Sequence, residues 1–175
     1  MSKIHEALGR DLVAAAVLRG SFRLRSGTQS SYYIDKYLLT TQPNLLRRIA
    51  AELALLLPEG VQRLAGPVLG AVPLVTAVSL QTGVPSVIVR VDKPKEYGTA
   101  RRFEGTLHAG ERVVLVEDVV TTGGAALAAL DVLREAGADV LGAVVVVDRE
   151  EGGREAFAAA GVPLQALFTK SELRL

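Results

Sequence analysis

Hydrophobic positions along the 175-residue chain switch between helical and strand-like spacing from end to end. Apolar residues three and four apart predict an amphipathic helix over residues 2–19. The stretch 21–37 is polar and aromatic and reads as a hairpin or loop. A second helix is expected over 43–57, with Pro43 suited to its first turn, and a third over 72–81, stopped by Thr82-Gly83. Short apolar, β-branched runs predict buried strands at 63–66, 86–91, 113–117, 140–148 and 164–168. Residues 125–137 place Leu127, Leu130 and Leu133 on one helical face with Gly137 as a stop, and 153–160 form a short helix. Strands alternating with helices make an α/β fold with a mostly parallel central sheet flanked by helices. No repeat or linker divides the chain, and its length suits one domain.

Composition narrows the function classes. No apolar run approaches the length of a transmembrane helix. The first twelve residues are amphipathic and charged, unlike a signal peptide. With no cysteine, disulfides and thiolate metal sites are excluded, and a cytoplasmic location is expected. The net charge of +1 argues against a general nucleic-acid surface. Neither a nucleic-acid nor a membrane partner is therefore expected.

Two segments carry candidate chemistry. Residues 92–111 form a long polar stretch with little apolar periodicity, dense in Lys and Arg, with glycines at 98 and 105. A lid closing over a polyanion has this character, and so does a solvated surface hairpin. The second segment, Val113 to Gly124, reads VVLVEDVVTTGG. A buried strand leads to two carboxylates, Glu117 and Asp118, then to a hydroxyl-glycine loop and a helix. In an open parallel sheet that edge is where ligands bind. Glycines admit backbone N–H groups to a phosphate, and the helix presents its positive end. Carboxylates beside a phosphate repel it unless the ligand also carries vicinal hydroxyls for them to accept. The motif therefore points to a phosphorylated ribose. A strand-turn-helix with a polar cap shares the pattern. An NTPase metal acid would need a GxxxxGK[ST] loop, and the chain has none.

The acid pair and TTGG loop resemble the 5-phosphoribosyl 1-diphosphate (PRPP) signature of type I phosphoribosyltransferases. Three further segments extend the resemblance to orotate phosphoribosyltransferases over nearly the whole chain: FRLRSGTQSSYYID (22–35), KPKEYGT (93–99) and VVVVDREEGG (144–153). The resemblance implies the type I phosphoribosyltransferase fold in a single domain, 1–175, with an N-terminal hood or base-binding segment (1–40) and a mobile lid loop (92–111). It implies transfer of ribose 5-phosphate from PRPP to orotate, giving orotidine 5′-monophosphate and pyrophosphate, in pyrimidine biosynthesis.

Site residues follow from the matched motifs. Glu117 and Asp118 would hold the ribose hydroxyls and, with Lys95, act as the catalytic groups. Val119, Val120, Thr121, Thr122, Gly123, Gly124 and Ala125 would form the phosphate loop. Arg90, Lys93, Lys95 and Tyr97 would meet PRPP from the lid side. Leu69, Gly70 and Ala71, in GPVLGAVP, would bind pyrophosphate through backbone N–H groups. Arg149 would take the orotate carboxylate, Arg25 would be a second cation near the base, Tyr33 would stack on the pyrimidine with Tyr32 as support, and Thr121 would touch sugar and base. Surface pairing of Arg149 with Glu150 or Glu151, and a core or interface role for the tyrosines, are the alternatives. Mg²⁺ would ride on the diphosphate and ribose oxygens rather than on a protein cage. A homodimer sharing its lid lysines between subunits is also implied.

The chain departs from the family pattern at four places. Some relatives carry lysine at the position of Gly70, and many carry histidine at that of Tyr97. Arg90 is followed by Val91 and Asp92 where an Arg-Lys pair is usual, and Ala125 replaces a hydroxyl residue. His5 and His108 match no motif. Competing readings are a purine-base phosphoribosyltransferase and a PRPP-sensing regulator on the same fold.

Overall fold

The computed structural model describes residues 3–23, 29–91 and 102–175. Helix α1 (Lys3–Ala16) leads into the antiparallel hairpin of β1 (Val17–Arg23) and β2 (Gln29–Ile34). The helix expected over 2–19 therefore ends early. Val17 and Leu18 pair with Ile34 and Tyr33 of β2 instead, a partner that local periodicity does not reveal. Two helices follow, α2 (Lys36–Thr40) and α3 (Pro43–Ala54). Asp35 caps α2, its Oδ1 accepting from the amides of Tyr37 and Leu38 at 2.9 and 3.2 Å.

The remaining elements are β3 (Arg63–Pro67), α4 (Ala71–Thr82), β4 (Ser86–Val89), β5 (Phe103–Glu104), β6 (Arg112–Val120), α5 (Gly124–Glu135), β7 (Asp139–Asp148), α6 (Gly153–Ala159), β8 (Leu164–Thr169) and α7 (Lys170–Leu173). They build a sheet in the order β5-β4-β3-β6-β7-β8. All its pairings are parallel except β5 against β4.

The pleat of β6 assigns the two faces. Val114 and Val116 pack with leucines of α1, α3 and α4, whereas Val113 and Leu115 pack with α5 and α6. Helices on both faces explain why β6 and β7 read as continuous apolar runs rather than alternating ones. The strand order turns outward in both directions from β3 and β6, so the crevice at their C-terminal ends is the ligand edge. Among the described residues, no helix is long and apolar enough to cross a membrane.

Candidate active site

β3, β6 and β7 are neighbours in the sheet, and each hands the chain to one of the candidate loops at the same edge. β6 runs further than the pattern 113–117 predicts. Val119 and Val120 keep pairing with Val147 and Asp148 of β7, so both carboxylates lie inside the strand. Glu117 is 8% exposed and Asp118 2%. The amide of Asp118 donates to Glu117 Oε1 at 3.1 Å, and that of Val119 to Asp118 Oδ1 at 2.7 Å.

Their electrostatics are those of a buried acid pair. Burial, and then the Asp118 charge, push the Glu117 carboxyl up to about 8. Burial also raises Asp118, against the pull of the Lys36 ammonium. Lys36 Nζ lies 3.5 Å from Asp118 Oδ2. Desolvation lowers the Lys36 pKa, but Asp118 and Glu117 outweigh it and the net shift is upward. Asp118 Oδ2 is buried and has no hydrogen-bond partner among the described residues. A ribose hydroxyl is the kind of donor that would satisfy it.

The phosphate loop continues from β6. Val120 is buried at 2% exposure within the α5–α6 core, leaving only its backbone for a ligand. Thr121 is half-buried, while Thr122, Gly124 and Ala125 are exposed. Gly123 takes φ +83° as the N-cap of α5, a left-handed turn that glycine adopts without strain. The first amides of a helix have no partner within it and point toward an anion. Gly153, opening α6, matters here and was legible in the sequence only as a helix start. A Cβ built on it would collide with Val120 Cγ1 and lie 2.6 Å from the Thr121 carbonyl oxygen. Helix α6 thus presses directly on the loop.

Val68, Leu69 and Gly70 connect β3 to α4, which Ala71 opens, and the Val68–Leu69 peptide is cis. Leu69 is exposed, whereas Gly70 and Ala71 are buried. A Cβ on Gly70 would collide with Asp118 Oδ2, so this loop and the acid pair are in direct contact.

Arg149 follows β7 and is 6% exposed. Its amide donates to the Val120 carbonyl at 2.9 Å. Its guanidinium donates from Nη2 to the Tyr32 hydroxyl at 3.3 Å, lies 5.0 Å from the centre of that ring, and pairs with Glu151 Oε1 at 2.8 Å. The partnership with Glu151 is real, yet the guanidinium is buried rather than on the surface. Of the two tyrosines, the structure brings Tyr32 to Arg149. Tyr33 points to the other face of β2, 39% exposed, its ring centre 5.8 Å from that of Phe22.

Arg90 is half-buried beyond β4, and its amide donates to the Arg102 carbonyl at 2.8 Å. The segment 92–111, expected to be a lid throughout, is not one at its end: β5 pairs with β4, Leu107 packs against the α5–α6 core and Glu111 pairs with Arg63, partners that the polar sequence did not reveal. Arg25, Lys93, Lys95 and Tyr97 lie outside the described residues. His5 stacks on Phe168, ring centres 4.4 Å apart, in the packing of α1 on β8, and His108 is exposed near β6's opposite end. Among the described residues, no cluster of three or more His, Cys, Asp or Glu could hold a metal.

The phosphoribosyl transferase domain profile matches residues 39–159, a span holding all three loops. An orotate phosphoribosyltransferase of Halobacterium salinarum is 52% identical over 168 residues, covering 93% of this chain and 95% of that one. The chain belongs to the orotate phosphoribosyltransferase family. Among solved structures, the orotate phosphoribosyltransferase of Mycobacterium tuberculosis in complex with PRPP is similar at a TM-score of 0.83 and 29% identity, covering 98% of this chain and 99% of that one. The UMP synthase of Leishmania donovani is similar at a TM-score of 0.84 and 34% identity, and this chain spans 37% of its length. This phosphoribosyltransferase carries its acid pair, TTGG loop and β3–α4 loop at one edge of the sheet. Lys36, which the family motifs did not flag, lies beside this acid pair. Its signal was a cation at the first position of a helix, where the macrodipole disfavours one.

Proposed function

We propose that this chain transfers ribose 5-phosphate from PRPP to orotate, forming orotidine 5′-monophosphate and pyrophosphate in pyrimidine biosynthesis. The observation that carries the substrate choice is Arg149. A buried guanidinium, its backbone bonded to the start of the phosphate loop at 2.9 Å, suits a flat anionic base held next to the ribose. A neutral purine has no carboxylate to offer it.

In this reading the TTGG loop takes the 5-phosphate, and Glu117 and Asp118 accept the ribose hydroxyls. The C1–oxygen bond breaks with its electron pair passing to pyrophosphate. Orotate N1 forms the new bond to C1 and releases its proton. Hydrogen bonds donated by the ribose hydroxyls favour the ionised form of both acids, and the ionised pair favours the positive charge that develops on the ribose ring as the bond loosens. Mg²⁺, held by the diphosphate and ribose oxygens of the donor, would supply neutralisation of the leaving group's charge. Leu69, Gly70 and Ala71 offer backbone amides to the pyrophosphate. Tyr32 supports Arg149 on the base side, and Arg25, Tyr33 and Thr121 complete that pocket, Tyr33 stacking on the pyrimidine.

The chain acts as one domain, residues 1–40 forming a hood over the base and the part of 92–111 that precedes β5 a lid. Lys93, Lys95 and Tyr97 close from the lid, with Arg90 at its root. Losing Lys95 should lower turnover by roughly 10²–10³, as for one preorganised donor. The enzyme works as a homodimer in which each lid serves the neighbouring site, and it acts in the cytoplasm.

The test is direct. Purified protein is mixed with PRPP, Mg²⁺ and orotate, and the loss of orotate absorbance is followed, with adenine, hypoxanthine and uracil in parallel. Turnover of orotate alone supports the reading. Turnover of a purine overturns the pocket assignment. PRPP binding with no turnover of any base points to a regulator.

A further inference from the structure

Lys36 is not explained by the helix it opens. It occupies the first position of α2, where Asp35 caps the helix and the dipole disfavours a cation. Its stem runs instead across the diphosphate loop. A Cβ on Gly70 would come within 2.8 Å of both Cδ and Cε of Lys36. Gly70 itself has φ −64° and ψ −36°, which any residue adopts. Space for the lysine stem and for Asp118, not backbone conformation, is therefore what requires glycine there. The ammonium ends 3.5 Å from Asp118 Oδ2, and the side chain is 37% exposed. The loop from Val68 to Ala71 contains no cation of its own.

We propose that Lys36 is a donor-binding residue that contacts the diphosphate of PRPP at the oxygen joined to the ribose. The inference rests on the PRPP reading above and adds the group that meets the leaving oxygen. In this structure, the ammonium pairs with Asp118. When the ribose hydroxyls take over that carboxylate, the ammonium's three donors turn to the diphosphate. Lys36 keeps its protons throughout, so its contribution is electrostatic.

Lys36→Met keeps the stem and removes the charge, and Lys36→Arg keeps the charge. Kinetics give KM for PRPP and for orotate, and calorimetry with magnesium pyrophosphate and with ribose 5-phosphate gives binding without turnover. Lys36→Met is expected to weaken PRPP and pyrophosphate on the order of 10- to 100-fold, the worth of one charged hydrogen bond. KM for orotate and affinity for ribose 5-phosphate stay near wild type, and Lys36→Arg recovers most of the loss. Unchanged pyrophosphate affinity in Lys36→Met overturns the proposal. So does an equal loss for ribose 5-phosphate, which marks a mere counter-ion of Asp118. Pyrophosphate binding remains decisive even if wild type fails to consume orotate, an outcome that would instead sink the parent reading.

Discussion

The backbone amide of Arg149 donates to the carbonyl of Val120 at 2.9 Å, tying the residue after β7 to the last residue of β6, where the TTGG loop begins. One hydrogen bond between the ends of adjacent strands thus holds together the proposed base and phosphate subsites, which lie 29 residues apart in sequence. Geometry of this kind turns a flexible base and donor into a near-attack pair.

The Arg149 side chain is held in place by Tyr32 and Glu151. Arg149→Ala should raise KM for orotate by about 10- to 100-fold while leaving KM for PRPP near wild type. Glu151 pairs with the guanidinium at 2.8 Å and competes with the orotate carboxylate for it. Glu151→Gln is therefore expected to lower KM for orotate severalfold. Steady-state kinetics on both variants check the pair, and an unchanged or raised KM in Glu151→Gln rejects the competition.

Gly153 offers a test of the loop's support. Its missing Cβ leaves room for Val120 and the Thr121 carbonyl. Gly153→Ala must push α6 away from the loop, and overpacking of this kind destabilises by about 1–3 kcal/mol. Chemical denaturation should register that loss, and PRPP affinity should fall with it because the loop amides move. A variant of wild-type stability and affinity would show that α6 does not set the loop.

Much of this site was legible in the sequence because its chemistry is local. An apolar run, two acids, two hydroxyls and two glycines in succession specify a strand-loop-helix and its ligand class together. What the sequence obscured depends on partners distant along the chain. The end of β6 is set by how far β7 continues beside it, so the acids lie inside the strand. Strand alternation implies that only one of Tyr32 and Tyr33 can face Arg149. The pairing of Tyr32 with Arg19 and the burial of Ile34 on the same face decide which. Lys36 is 82 residues from Asp118, and no local pattern joins them.

Glu117 makes stability depend on pH with a definite sign. Its pKa is about 8 in the folded chain against an ordinary value of 4.5. The folded state prefers the neutral carboxyl, so this stabilising contribution is full below about pH 4.5 and is lost as pH rises through about 8. Glu117→Gln cannot titrate. The difference in Tm between substrate-free wild type and Glu117→Gln should therefore move against wild type across that window. Parallel curves would mean that Glu117 keeps an ordinary pKa.

The proposed shared-lid dimer predicts complementation. Lys95→Ala removes a lid cation, and Asp118→Asn disables the ribose site, so each homodimer should be nearly inactive. If the lid of one subunit serves its neighbour, a hybrid dimer combines both lesions in one site and leaves the other intact. Random exchange makes half the dimers hybrid, so activity should return to about a quarter of wild type. If each lid instead closed over its own subunit's site, every site in the hybrid would carry one lesion and no activity would return. Mixing the two variants, verifying exchange by native mass spectrometry and assaying orotate consumption separates the two arrangements.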